Sequence, residues 1–477
     1  MSHSRLMSGL LGLLLLVGLG LSSPADAFPP TGAWSWAGVC PESNRFGVAV
    51  AGAGIEAYDV GQLHAGWYHN FSILGSPSHP AGMGYVQTIR ISDDGPFVDR
   101  ACSACPTWNM VQAIALANPG SLWAVGNEPD RQDYTQAGRY AEIYHAFYGF
   151  LKAVDPTCQI AIGGVVQPTP IRMQYLDMIL NAYHVRYGRA MPVDVWNVHN
   201  YVVREGEIGW GGGIPPGTDP ALAIEYGIQD HDNVNAWAWH LRLMRQWMQL
   251  RGFRDRPLII TEYGILMPEE YGYDYDRVRQ FLVTTSNWLT SATDPNTGYP
   301  ADGNRLVQGW AWYSLNDPAF EGFTSRNHLF DPETLSITPL GLAYAAYTAP
   351  LTTPSADLHP TALLHGASSP GSGGLLATTV VARIYNDGSG SADTVEIHFE
   401  RDGTPAGDAT IATIGAYEVQ EASVVWTGLV PGQTYQAAVT VDPYHQIDEC
   451  DSTNNSLSAS FLLGDQWSYL PLIQKKR

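Results

Sequence analysis

Two glutamates in this sequence stand where a carboxyl group can do chemistry rather than only meet solvent. Glu128 lies in Leu122-Trp123-Ala124-Val125-Gly126-Asn127-Glu128-Pro129-Asp130, and Glu262 in Leu258-Ile259-Ile260-Thr261-Glu262-Tyr263-Gly264. Each follows a run of apolar residues of the kind that forms a buried strand, where a carboxylate is costly unless it is paired or hydrogen-bonded. Two such groups on either side of an acetal carbon can divide the work of breaking a glycosidic bond. One, protonated, assists the leaving oxygen; the other, ionised, faces the carbon. Either glutamate alone is equally well explained as a helix cap or a solvated side chain. The pair, at the ends of two strands, is better explained by function.

The elements that must position them alternate in type. Apolar strand-like segments fall at 46–53, 65–73, 85–92, 121–127, 159–166, 193–201, 257–263 and 307–315. Helical periodicity predicts helices over 137–154, 173–187, 233–250, 277–292 and 339–347, the last with Pro339 at its start. The helix after the first strand is poorly marked. Eight strands alternating with helices over some 300 residues predict a (β/α)8 TIM barrel in the α/β class. Glu128 then ends the fourth strand and Glu262 the seventh, on the face where barrel loops build sites. The structural rival is an open doubly wound sheet, but Ala51-Gly52-Ala53-Gly54 lacks the third glycine of a dinucleotide loop.

Asn-Glu-Pro at strand four together with Thr-Glu-Tyr-Gly at strand seven resembles the signature of the clan A retaining glycoside hydrolases. Within the clan, Trp67-Tyr68-His69-Asn70 and Gly126-Asn127-Glu128-Pro129-Asp130 are similar to the family 39 and family 128 types. The resemblance spans roughly residues 40–348 and implies Glu128 as acid/base, Glu262 as nucleophile and a β-linked poly- or oligosaccharide substrate. It implies that Asn127 holds the sugar 2-hydroxyl, that His199 and Tyr201 orient the nucleophile, and that Trp312, with Trp310, floors the sugar ring. Arg90, His69 and Trp67 are further substrate-side candidates, each also explicable as packing or ion pairing. The clan's arginine at the end of strand two is missing, so His69 or Arg90 is expected to support Glu262 instead. The mechanism needs no metal or cofactor. Asp130, Glu269, Glu270, Asp274, Asp276 and the Asp93-Asp94 turn read as solvated acids. The alternative function is a non-catalytic carbohydrate-binding or surface adhesion protein on a degenerate barrel; the presence of both glutamates argues against it.

After the barrel, expected over 28–348, comes a Pro/Thr/Ser linker at 349–358 and then strand-like segments at 375–385, 393–400, 417–426 and 435–441. These predict an immunoglobulin-like β-sandwich over 359–464, followed by a tail over 465–477. Ile447-Asp448-Glu449-Cys450-Asp451-Ser452-Thr453-Asn454-Asn455 resembles the end of a CARDB-type adhesion module, which implies an accessory role in cell-surface or polysaccharide contact. Its acids could bind calcium, though an asparagine-stabilised turn explains them better.

The first 27 residues read as a cleaved export signal: His3 and Arg5, an apolar run, then Ala25-Asp26-Ala27. The run is too short to span a bilayer, so no membrane insertion of the mature chain is expected and a secreted location is. Among five cysteines, Cys40, Cys102, Cys105 and Cys158 are expected to pair and Cys450 to be left over. The formal charge of −21, with lysine confined to positions 152, 475 and 476, disfavours nucleic acid and anionic membranes and favours a neutral substrate.

Overall fold

The computed structural model describes Trp36, Val39 and residues 41–463, except 53, 93–105, 207–209, 318, 321–322, 354, 387, 389, 417, 451 and 453. The export signal, Asp93, Asp94, Cys40, Cys102, Cys105 and the tail over 465–477 therefore lie outside the described residues.

Eight parallel strands form the first half: β1 Phe46–Ala49, β2 Trp67–His69, β3 Gly84–Ile89, β4 Leu122–Val125, β5 Gln159–Ile162, β6 Trp196–His199, β7 Leu258–Tyr263 and β8 Gly309–Tyr313. They follow one another in the order β5-β4-β3-β2-β1-β8-β7-β6. Parallel bridges Ala161↔Val195 and Val165↔Val198 join β5 to β6 and close the ring. The first half is thus an eight-stranded α/β barrel.

Among the described residues six α-helices accompany the barrel: α1 Trp108–Ala117, α2 Ala137–Val154, α3 Pro170–Tyr187, α4 Val234–Leu250, α5 Tyr275–Ser291 and α6 Pro339–Thr348. Their starts are chemically marked. Asn233, Asp274 and Thr338 accept hydrogen bonds from the first-turn N–H groups of α4, α5 and α6, and Pro339 occupies the first turn of α6. Helix α1 has no comparable sequence signal beyond its Thr107 cap. Between β1 and β2, and between β2 and β3, the described residues hold only short 3-10 turns, which is why no helix is legible there.

Outward-facing strand residues such as Trp123, Trp196, Leu258, Ile260, Trp310 and Trp312 merge with the helices into one large core. Inward-facing Trp67, Val86, Leu122, Ala124, Val195, Ile259 and Ala311, with Trp36, form a second, smaller core inside the ring. Trp67 fills the amino end of the lumen so tightly that a Cβ on Gly47 would lie 2.5 Å from its indole.

The second half holds two antiparallel sheets. Leu376–Asn386 pairs with Leu358–His365, Ser369–Pro370 and Val419–Leu429; Ala392–Arg401 lies between Thr404–Ile414 and Thr434–Val441, which pairs on with Ser456–Leu462. Their facing sides share a core of their own around Val380, Ile397, Phe399, Trp426 and Val439. The expected linker is partly structured: Ala349–Leu351 is a 3-10 turn, and the first strand of the module begins at Leu358. Glu449 works as a clip, accepting from the Leu358 N–H and from Asn455 Nδ2.

The expectation for the cysteines is reversed at two positions. Cys450 is disulfide-bonded, whereas Cys158 is a buried free thiol at the start of β5, with its carbonyl held by Lys152. No helix among the described residues is long and apolar enough to cross a membrane.

Candidate active site

Every barrel strand delivers a residue to one cavity at the carboxyl end of the ring. Ala51, Phe71, Arg90, Glu128, Val166, Tyr201, Glu262 and Tyr313 follow or end β1 to β8 in turn, and they line a cavity of about 370 Å³. Trp210, Gly211, Arg131 and Gln132 add a further wall.

Two local departures from regular strand geometry aim the glutamates. In β7 the register with β6 slips between Val198↔Ile260 and His199↔Glu262, and that with β8 between Ile260↔Trp310 and Tyr263↔Trp312. Strict alternation from Ile260 would send Glu262 outward with the apolar face. The bulge turns both Thr261 and Glu262 toward the interior: Thr261 bonds Asn197, and Tyr263 returns to the outer core against Trp312. Beyond β4, Glu128 takes φ 48°, a left-handed conformation that costs energy in a non-glycine residue and is typical of functional sites. Its N–H is fixed by the Gly164 carbonyl.

Between the carboxyls lies the imidazole of His199. Its Nδ1 is 3.1 Å from Glu128 Oε1 and its Nε2 3.2 Å from Glu262 Oε1. The second contact is out of line for a hydrogen bond, so Glu262 Oε1 and His199 Nε2 make none, and neither does the buried Glu128 Oε2. Buried polar atoms are rarely left so; here they border the cavity, where the polar groups of a bound molecule would satisfy them. The Tyr201 hydroxyl donates to Glu262 Oε2 at 3.0 Å. A ligand-type atom from each of Glu128, His199 and Glu262 lies within 4.8 Å of the others, so this trio is where a cation would go. Burial opposes the imidazolium, but Glu262, Glu128 and Asp130 together hold His199 above its ordinary value.

Burial pushes the Glu262 carboxyl up to about 7 and Glu128 adds to the rise, while His199 and the Tyr201 hydroxyl oppose it. Burial also acts on Glu128, but His199, Arg131 and Arg172 outweigh it and hold that carboxyl below its ordinary value. Of the two carboxyls, then, Glu262 is the one that keeps its proton to higher pH. This is the reverse of the order that an acid at Glu128 and a nucleophile at Glu262 need, because the positive charge gathers around Glu128.

The remaining candidates divide. Arg90 lines the cavity, with Nε and one terminal nitrogen on Asp133 Oδ1; Asp133 Oδ2 in turn accepts from the Ile91 and Asn127 N–H groups. Asn127 is buried and its amide reaches Gln132. His69 is buried, drawn down to about 4 by burial, and bonds the Thr261 carbonyl rather than a carboxylate. Trp67 packs against Trp36 at the opposite end of the barrel, away from the cavity. Trp310 and Trp312 are corrections: both face outward, Trp310 against Phe46 and Trp312 against Tyr263, with the Trp312 indole donating to the Asn327 carbonyl. On β8 it is Gly309, Ala311 and Tyr313 that face inward, and Tyr313 reaches the cavity. Asp130, expected to be solvated, is 1% exposed and paired with Arg172. Glu269 pairs with Arg326 and Asp274 caps α5. Phe71, Arg131, Trp210 and Tyr313 carried no sequence signal, since they sit on loops or on the face assigned to packing.

Residues 367–459 match the CARDB family model. No curated protein matches the chain. Among solved structures, a family 128 (subgroup I) endo-β-1,3-glucanase from Amycolatopsis mediterranei in complex with laminaritriose is 16% identical, with TM-score 0.40, covering 64% of this chain and 99% of that one. A subgroup IV endo-β-1,3-glucanase from Lentinula edodes is 13% identical, with TM-score 0.41, over 63% of this chain and 99% of its own. The CARDB domain of a Pyrococcus furiosus protein, in complex with di-metal ions, is 16% identical, with TM-score 0.20, over 23% and 94%.

Proposed function

We propose that this chain is a retaining glycoside hydrolase acting on a β-linked poly- or oligosaccharide, as the family resemblance of its two glutamate motifs implies. The observation that carries the proposal is a pair of buried carboxyls bridged by one histidine at the floor of a cavity lined by all eight strands. Their nearest oxygens lie within 4.8 Å, short of the roughly 6.5–9.5 Å that leaves room for the water of an inverting pair. Glu262 attacks the anomeric carbon as Glu128 gives its proton to the departing oxygen; Glu128 then takes a proton from the incoming water.

Attack requires Glu262 ionised and Glu128 protonated, the opposite of the order in which burial and the nearby cations set the two carboxyls. His199 touches both groups and supplies the route. As an imidazolium it gives its Nδ1 proton to Glu128 Oε1, 3.1 Å away, and is left neutral, while Glu262 releases its own proton to water. The Tyr201 hydroxyl bond to Glu262 Oε2 then favours the carboxylate. Phe71, Tyr313 and Trp210 offer apolar faces to sugar rings.

The export-signal pattern supports a secreted enzyme, and the CARDB match supports a module that contacts a cell surface or polysaccharide. N-terminal sequencing of protein recovered from the medium should begin just after Ala27. Activity of wild type, Glu128→Ala and Glu262→Ala against β-linked glucans, mannan and xylan tests the function. Turnover by wild type that is lost in both variants is expected. Binding without cleavage would move the chain to the carbohydrate-binding alternative.

A further inference from the structure

Behind the cavity wall, and outside its lining, lies an arginine with no access to water. Arg172, in the first turn of α3, is 0% exposed, as are the side chains of its partners Asp130 and Glu205. Its Nε donates to Asp130 Oδ2 at 2.6 Å, one terminal nitrogen bonds Glu205, and the other donates to the Gly212 and Gly213 carbonyls at 2.6 and 3.2 Å. Glu205 is itself fully engaged by Gln167, Thr169 and the Ile224 N–H. A buried arginine between two carboxylates is not a strong source of stability, because desolvation offsets attraction. Its value is geometric: a planar fork fixes several partners at once.

Those partners belong to two parts of the site. Asp130 lies two residues past Glu128 in the same turn. Gly212 and Gly213 follow Trp210, and the Gly212 N–H donates to the Arg204 carbonyl. Arg131 makes a second tie, its Nε donating to the Gly211 carbonyl at 2.9 Å while its terminal nitrogen stands 3.6 Å from Glu128 Oε2.

We infer that Arg172 is a positioning residue that locks the Trp210 wall to the Glu128 turn, making Trp210 a fixed platform for a sugar ring next to the acid/base. The inference rests on the glycosidase reading above and deepens it, because it names a residue that sets substrate binding without touching substrate.

The test is a double-mutant cycle of Arg172→Lys and Trp210→Ala, reading KM and kcat on an oligosaccharide that wild type cleaves, with thermal melts as a fold check. Lysine keeps the charge and loses the fork. Arg172→Lys should raise KM by about tenfold, and Trp210→Ala by a similar factor. In the Trp210→Ala background the lysine should add less than about twofold, since coupled residues do not add. Glu205→Gln, which keeps the shape, should behave the same way and carries the test if Arg172→Lys does not fold. Multiplying effects would overturn the inference and leave the function standing. A wild type that cleaves no glycan overturns the function, and the inference with it.

Discussion

At the scale of single residues, the site is governed by where one proton sits. Glu262 is held up to about 7 and Glu128 below its ordinary value, so near neutrality the pair carries one proton between them. Raising the pH through about 7 removes it and leaves two carboxylates with no acid. Lowering it protonates both and leaves no nucleophile. The kcat/KM profile should therefore be a bell whose alkaline limb falls near pH 7, with its optimum on the acid side. A profile still rising above pH 8 contradicts this. Residue type and strand-end position mark the two glutamates in the sequence, the family resemblance points to His199 and Tyr201, and both of these touch the carboxyl pair. The sequence does not show which carboxyl is raised. That depends on Arg131 and Arg172, one a loop neighbour and the other on a helix 44 positions away in the chain.

At the scale of elements, the strands were legible and their phase was not. Apolar runs marked all eight barrel strands and five of the helices. Yet two adjacent apolar-aromatic strands hid which face was inward. In β8 the lumen takes Gly309 and Ala311 because Trp36 and Trp67 already fill it, so the larger tryptophans go outward. In β7 the bulge restores to the lumen a glutamate that plain alternation would expel. The loop after β5 is equally constrained: a Cβ on Gly164 would lie 2.5 Å from His199 Cδ2 and 2.9 Å from its Nε2. Gly164→Ala should thus displace the bridging imidazole, lowering kcat by on the order of tenfold to a hundredfold. Overpacking should cost about 1–3 kcal/mol in stability. Kinetics and a thermal melt check this, and unchanged kcat would show that the imidazole position is immaterial.

At the scale of the whole molecule, an acidic chain of charge −21 carries a cavity whose own charges are largely paired. Arg90 is matched by Asp133, and Arg131 faces Glu128. A neutral glycan gains nothing from long-range steering. Hence kcat/KM should stay within about twofold as salt rises well past the point where the screening length falls below roughly 8 Å. A steep salt dependence would instead mark a charged substrate. The two-part build was legible as a shift from alternating helix and strand patterns to strands alone. The module strands Leu358–His365, Thr404–Ile414 and Ser456–Leu462 were missed because Pro360 and the polar Thr404–Ile414 face mask their patterning. What unites these scales is the claim that Glu262 forms a covalent bond to the sugar while Glu128 manages the proton. Azide rescue of Glu262→Ala on an activated aryl β-glycoside tests it most directly. The account predicts restored turnover with an α-glycosyl azide as product, the configuration inverted. A β-configured azide, or no rescue of a folded variant alongside an active wild type, would contradict it.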